Sequence, residues 1–127
     1  MVIDPDGPRC ACGARGCLEA YAGTRHILRL GRATMRRSAR LRTRVRQAGG
    51  RLTPRLIGQA ARKGDPAARE VWRQMGRALG IGIGNLVNLF NPERVVIGGG
   101  VANNWSSFAP MMQRTVREQA MDVSVKA

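Results

Sequence analysis

Apolar and polar positions alternate along this chain mostly at helical spacing. Leu18, Tyr21, Ala22, Arg25 and Leu28 recur at threes and fours, which predicts a helix from Leu18 to about Met35, weakened at Gly31. Residues 36–50 are Arg-rich and poorly periodic, and they end in Gly49-Gly50, so the expectation is a helix tail and an exposed connector. Thr53-Pro54 opens a short helix, Arg55 to Arg62, with threonine as cap and proline in the first turn. Gly64-Asp65-Pro66 is a stop, an N-cap and a proline at the first helical position. The helix it opens runs from Pro66 to about Phe90, with Val71, Met75, Leu79, Ile83, Leu86, Val87 and Phe90 on one stripe. Gly76, Gly80, Gly82 and Gly84 interrupt it. At about 1 kcal/mol lost per interior glycine, they point to close approach by another backbone.

After the helix stop at Asn91-Pro92, the β-branched run Arg94–Ile97 predicts a short buried strand, followed at once by Gly98-Gly99-Gly100. A last helix is expected from Ser106 or Ser107 to about Met121, and Val123-Ser124-Val125 is placed as the start of a further strand. Residues 1–17 read as loop, since Asp4-Pro5-Asp6-Gly7-Pro8 is turn chemistry. The pattern is that of an α/β chain, mostly helical, with one or two strands.

Composition narrows the class. The 127 residues are one domain or part of one. Aromatics are 4%, which leaves Ala, Val, Leu, Ile and Met to build the core. No apolar run approaches the roughly 18 residues that a membrane span needs, and the first residues lack the pattern of a signal peptide. A cytoplasmic chain without a membrane partner is expected. The net charge is +14, and no acidic residue occurs between Ala20 and Gly64. Such charge raises nucleic acid as a partner. Yet all basic residues except Lys63 and Lys126 are arginine, a skew that a GC-rich coding sequence produces, and no nucleic-acid motif accompanies it. The sequence therefore weighs against nucleic acid.

Chemistry concentrates in two places. Cys10, Cys12 and Cys17 lie within eight residues. An odd, clustered set is a poor disulfide framework and a good thiolate site for zinc. Gly13 and Gly16 let the loop curl so that Cys17 faces the first pair. A fourth ligand is open among Asp4, Asp6 and His26, the only histidine. The second place is the glycine run after the expected strand, where exposed N–H groups suit a phosphate or nucleotide, although a triple glycine is also an ordinary tight turn.

Taken together, these motifs resemble the ROK family (repressors, open reading frames and kinases). The likeness is carried by Asp4-Pro5-Asp6-Gly7-Pro8 through Cys10-x-Cys12-Gly13-x-x-Gly16-Cys17-Leu18-Glu19-Ala20-Tyr21, by Gly64-Asp65-Pro66-Ala67-Ala68, and by Gly80-Ile81-Gly82 through Asn88–Val101. Residues 29–55 are unlike the family. The resemblance implies an actin-like, ribonuclease-H-like ATPase fold with sugar and ATP in a cleft, and ATP-dependent phosphorylation of a hexose as in glucokinases. Its other branch implies sugar-responsive repression. By position, Cys10, Cys12 and Cys17 would bind structural zinc, Glu19 would hydrogen-bond sugar hydroxyls, and Gly98, Gly99 and Gly100 would lie against ATP, which arrives with magnesium. Without the motif, Glu19 is simply a carboxylate near a helix N-terminus. Homo-oligomers are common in the family.

The expected organisation is a partial ROK domain. It has a zinc loop over 1–19, an Arg-rich connector over 29–55, and a long helix, strand and glycine turn over 66–101. The family's N-terminal phosphate loop and catalytic aspartate have no counterpart here, so the expectation is an internal fragment, inactive alone, with no catalytic residue of its own.

Overall fold

The computed structural model describes residues 1–121. Six α-helices follow an N-terminal loop. They are α1 (Leu18–Ala22), α2 (Thr24–Met35), α3 (Ala39–Gln47), α4 (Pro54–Arg62), α5 (Pro66–Phe90) and α6 (Trp105–Gln119), the last preceded by a 3-10 turn, Gly100–Asn104. Helices α4 and α5 start where their caps direct. Thr53 Oγ1 accepts from the Leu56 N–H at 3.3 Å, and Asp65 Oδ1 accepts from Ala67 and Ala68 at 3.0 and 3.3 Å.

Several expectations need correction. The helix expected from Leu18 to Met35 breaks at Gly23, whose extended backbone (ψ 153) separates α1 from α2. Helix α2 continues through Gly31. This glycine is buried where a Cβ would collide with Ile57 Cδ1, so its smallness lets α4 seat on α2. Residues 39–47, expected in a connector, form α3, capped by Ser38 and anchored by buried Leu41 and Val45. Four arginines mask that two-residue anchor. The core is also not purely aliphatic. Trp72 and Phe108 are fully buried and stack at 6.3 Å between ring centroids, because a 4% average does not say where the few rings sit.

The glycines of α5 do what their cost implies. A Cβ on Gly76 would lie 2.5 Å from the Phe108 carbonyl oxygen, and one on Gly80 2.7 Å from that of Met112. A Cβ on Gly84 would meet Gln119 Cβ at 2.9 Å. Contacts that advance together along both helices mean that α5 and α6 run parallel, so the chain between them must return along α5. Gly82 points elsewhere and receives the Leu18 side chain of α1.

The returning segment contains Arg94–Ile97. It is not a strand, because no neighbouring strand pairs with it; among the described residues there is no sheet, only isolated bridges Val2–Cys17 and Arg9–Arg15. Ile97 packs on the core while Val96 is 83% exposed. Leu89 and Phe90, at the end of α5, are also exposed. The α/β expectation is thus met here only in its helical part. The strand expected at Val123–Val125 lies outside the described residues. No described helix is long and apolar enough to cross a membrane.

Candidate functional site

The N-terminal loop gathers its three cysteines. Their Sγ atoms all lie within 4.8 Å of one another, and Cys12 Sγ is 3.5 Å from Cys17 Sγ. A tetrahedral zinc with Zn–S bonds of about 2.3 Å holds its sulfurs about 3.8 Å apart, so the triad fits such an ion. The curl depends on Gly16 (φ +67), where a Cβ would fall onto the Asp4 carbonyl oxygen. The Cys10 N–H donates to the Ala14 carbonyl at 2.9 Å and closes the knuckle. The thiols are inequivalent. Exposed Cys12 has its pKa lowered, first by the Ala14 backbone N–H and then by the other two thiols. Cys17 is pushed up to about 11, first by its hydrogen bond with Cys12 and then by burial.

None of the expected fourth ligands joins this cluster among the described residues. Asp4 Oδ2 accepts from the Tyr21 hydroxyl at 2.7 Å and its Oδ1 accepts from the Asp6 N–H at 3.1 Å. His26 Nδ1 lies 3.0 Å from Arg29 Nη2, and its ring packs edge-on against Tyr21. Burial, then the Arg29 charge, holds the His26 pKa below its ordinary value.

Glu19 is exposed in the first turn of α1 and is the sole carboxylate lining a cavity of about 470 Å³ that also touches Cys10, His26, Gly23 and Thr24. Gly98, Gly99 and Gly100 line a second, open cleft of about 750 Å³, together with Thr53, Arg55, Arg62 and Asn104. Gly23 and Thr24 belong to both linings, so the two cavities meet across the break between α1 and α2. All three glycines of the run are exposed, and none of their N–H groups donates a backbone hydrogen bond among the described residues. Gly99 (φ +94) needs glycine for its conformation. A Cβ added at Gly98 or Gly100 would find nothing within 4 Å, so internal packing does not explain them.

A profile of the ROK family matches residues 1–126. The chain belongs to the ROK family. The DNA-binding transcriptional repressor Mlc of Escherichia coli (strain K12) is 34% identical over 119 residues, covering 94% of this chain and 28% of that protein. A glucokinase of Streptomyces coelicolor is 36% identical over 104 residues, covering 78% and 32%. Among solved structures, a ROK transcriptional regulator homologous to E. coli Mlc superposes with a TM-score of 0.86 at 36% identity, over 99% of this chain and 31% of that one. A ROK glucokinase from Streptomyces griseus, solved with glucose and AMPPNP, gives 0.79 at 29%, over 95% and 40%. The chain therefore spans roughly a third of the ROK proteins it matches, and those proteins include both kinases and repressors.

The family motif pointed to the cysteines, Glu19 and the glycine run. Thr24, Arg55, Arg62 and Asn104 carry no sequence signal of a site, since they are scattered along the chain and only the packing of α2, α4 and the 3-10 turn assembles them. Gly23 had a signal: an isolated glycine inside a helical pattern.

Proposed function

We propose that this chain is the zinc-loop and nucleotide-side portion of a ROK hexose kinase, which transfers the terminal phosphoryl of ATP to a sugar hydroxyl. The observation that carries this reading is the shared wall at Gly23–Thr24. It sets the cavity that holds Glu19 directly beside the glycine-lined cleft with its two arginines, as a sugar and its phosphoryl donor must be set. Glu19 would accept hydrogen bonds from sugar hydroxyls. Gly98, Gly99 and Gly100 would let ATP approach the backbone, and their N–H groups would meet its oxygens. Magnesium, when bound with ATP, supplies charge neutralisation at the phosphates. Cys10, Cys12 and Cys17 would hold a structural zinc, pinning the loop that leads into Glu19. No general base is assigned here, since Asp4 is engaged by Tyr21 and Asp6 lies in the preceding turn. The Arg94–Ile97 segment would become a strand when another strand of the fold lies beside it. ATP as donor makes the cytoplasm the expected compartment.

A second reading, the sugar-sensing part of a ROK repressor, is favoured by the superposition on a transcriptional regulator over 99% of the chain. It shares the sugar cavity and needs no ATP.

Calorimetric titration of glucose into the chain and into its Glu19→Gln variant tests the shared part. Loss of more than about tenfold in affinity is expected, the worth of a hydrogen bond to a charged group. Equal affinity would remove Glu19 from the site.

A further inference from the structure

We propose that Arg55 and Arg62 form a clamp for the nucleotide's phosphates in the cleft that the glycine run also lines. The proposal rests on the ATP reading above and adds to it the two side chains that recognise the phosphates. A nucleoside polyphosphate brings several negative charges, and the glycine N–H groups are neutral donors. The cleft lining contains two cations, Arg55 and Arg62, and no carboxylate. They come from opposite ends of α4, about 10 Å apart along its axis.

Arg62 does not reach away from its helix. Its Nη1 lies 3.3 Å from where a Cβ on Gly58 would be, so the guanidinium folds back along α4 toward the Arg55 end. Asn104 Oδ1 approaches the same Gly58 position from the 3-10 turn, so closely that a Cβ there would displace it. Neither arginine is within 4.0 Å of a carboxylate among the described residues; the ion pairs there are Arg73–Glu70 and Arg114–Glu118. Both forks are therefore unpaired on the cleft. Guanidinium binds phosphate oxygens bidentately, which fixes orientation as well as charge.

Calorimetric binding of ADP and of adenosine to the chain, to R55A/R62A and to R77A/R117A tests the clamp. Arg77 and Arg117 are exposed on α5 and α6, away from the cleft, and their removal matches the loss of charge. R55A/R62A is expected to lose about 100-fold for ADP, about tenfold per charge-assisted contact, and less than about twofold for adenosine. R55K/R62K keeps the charge but not the fork and is expected to lose about tenfold. An unchanged ADP affinity in R55A/R62A, or an equal loss in R77A/R117A, would overturn the clamp and leave the ATP reading standing. Failure of the unaltered chain to bind ADP would overturn both.

Discussion

Ser38 donates its hydroxyl to the carboxylate of Asp65, and each of the two residues caps a different helix. Ser38 Oγ accepts from the Leu41 N–H at 3.0 Å and starts α3, while Asp65 takes the first N–H groups of α5. Both are buried, at 7% and 4% exposure, so this joint replaces water for several polar groups at once. It also ties the start of α3 to the start of α5.

Asp65→Ala is expected to destabilise the chain by about 2 kcal/mol, a lost cap plus an orphaned hydroxyl. Ser38→Ala should cost about 1 kcal/mol. Urea unfolding of the two single variants and the double should reveal a coupling of about 1 kcal/mol. Additive losses would show that the two caps act independently.

Substituting Gly76 should reverse the usual helix rule. In an exposed helix interior Gly→Ala stabilises by about 1 kcal/mol. Here the new methyl would sit 2.5 Å from the Phe108 carbonyl, and overpacking typically costs about 1–3 kcal/mol. Gly76→Ala should lower the thermal midpoint. A raised midpoint would mean that α6 does not rest on this stripe.

Zinc should bind at about one per chain through Cys10, Cys12 and Cys17. The Cys17 thiol, held at about 11 without metal, is protonated at neutral pH, so metal must displace its proton. Affinity should therefore rise with pH and zinc be shed as the medium is acidified. Metal analysis across pH, with Cys12→Ser as control, reads this out; equal zinc in both proteins would end the assignment.

His26 should titrate below 6.5, visible as the one histidine ring in proton NMR. Its folded pKa is depressed, so the unfolded chain takes up the proton first. The stability it supports is present above about 6.5 and is lost as pH falls through the folded value. His26→Gln should flatten that part of the stability profile. A ring pKa above 6.5 would contradict the burial of this side chain.

Local chemistry was enough to set several elements from sequence. Asp65-Pro66 set the start of α5, Thr53-Pro54 that of α4, and the cysteine spacing the gathering of the three thiols in one loop, because caps, prolines and close spacings act within a few residues. The glycines of α5 announced a close neighbour for the same reason, since their cost is local. Which helix came close, and that it runs parallel, was decided by α6. The break at Gly23 carried a local signal, an isolated glycine in a helical pattern, but that two cavities meet there was decided by the tertiary packing. α3 escaped notice because Leu41 and Val45 are a two-residue anchor among arginines, and their burial in the shared core outweighs that polarity. Arg94–Ile97 shows the converse. Its residues ask for a sheet, but a strand is a relation between two segments, and only the tertiary structure supplies or withholds the second one.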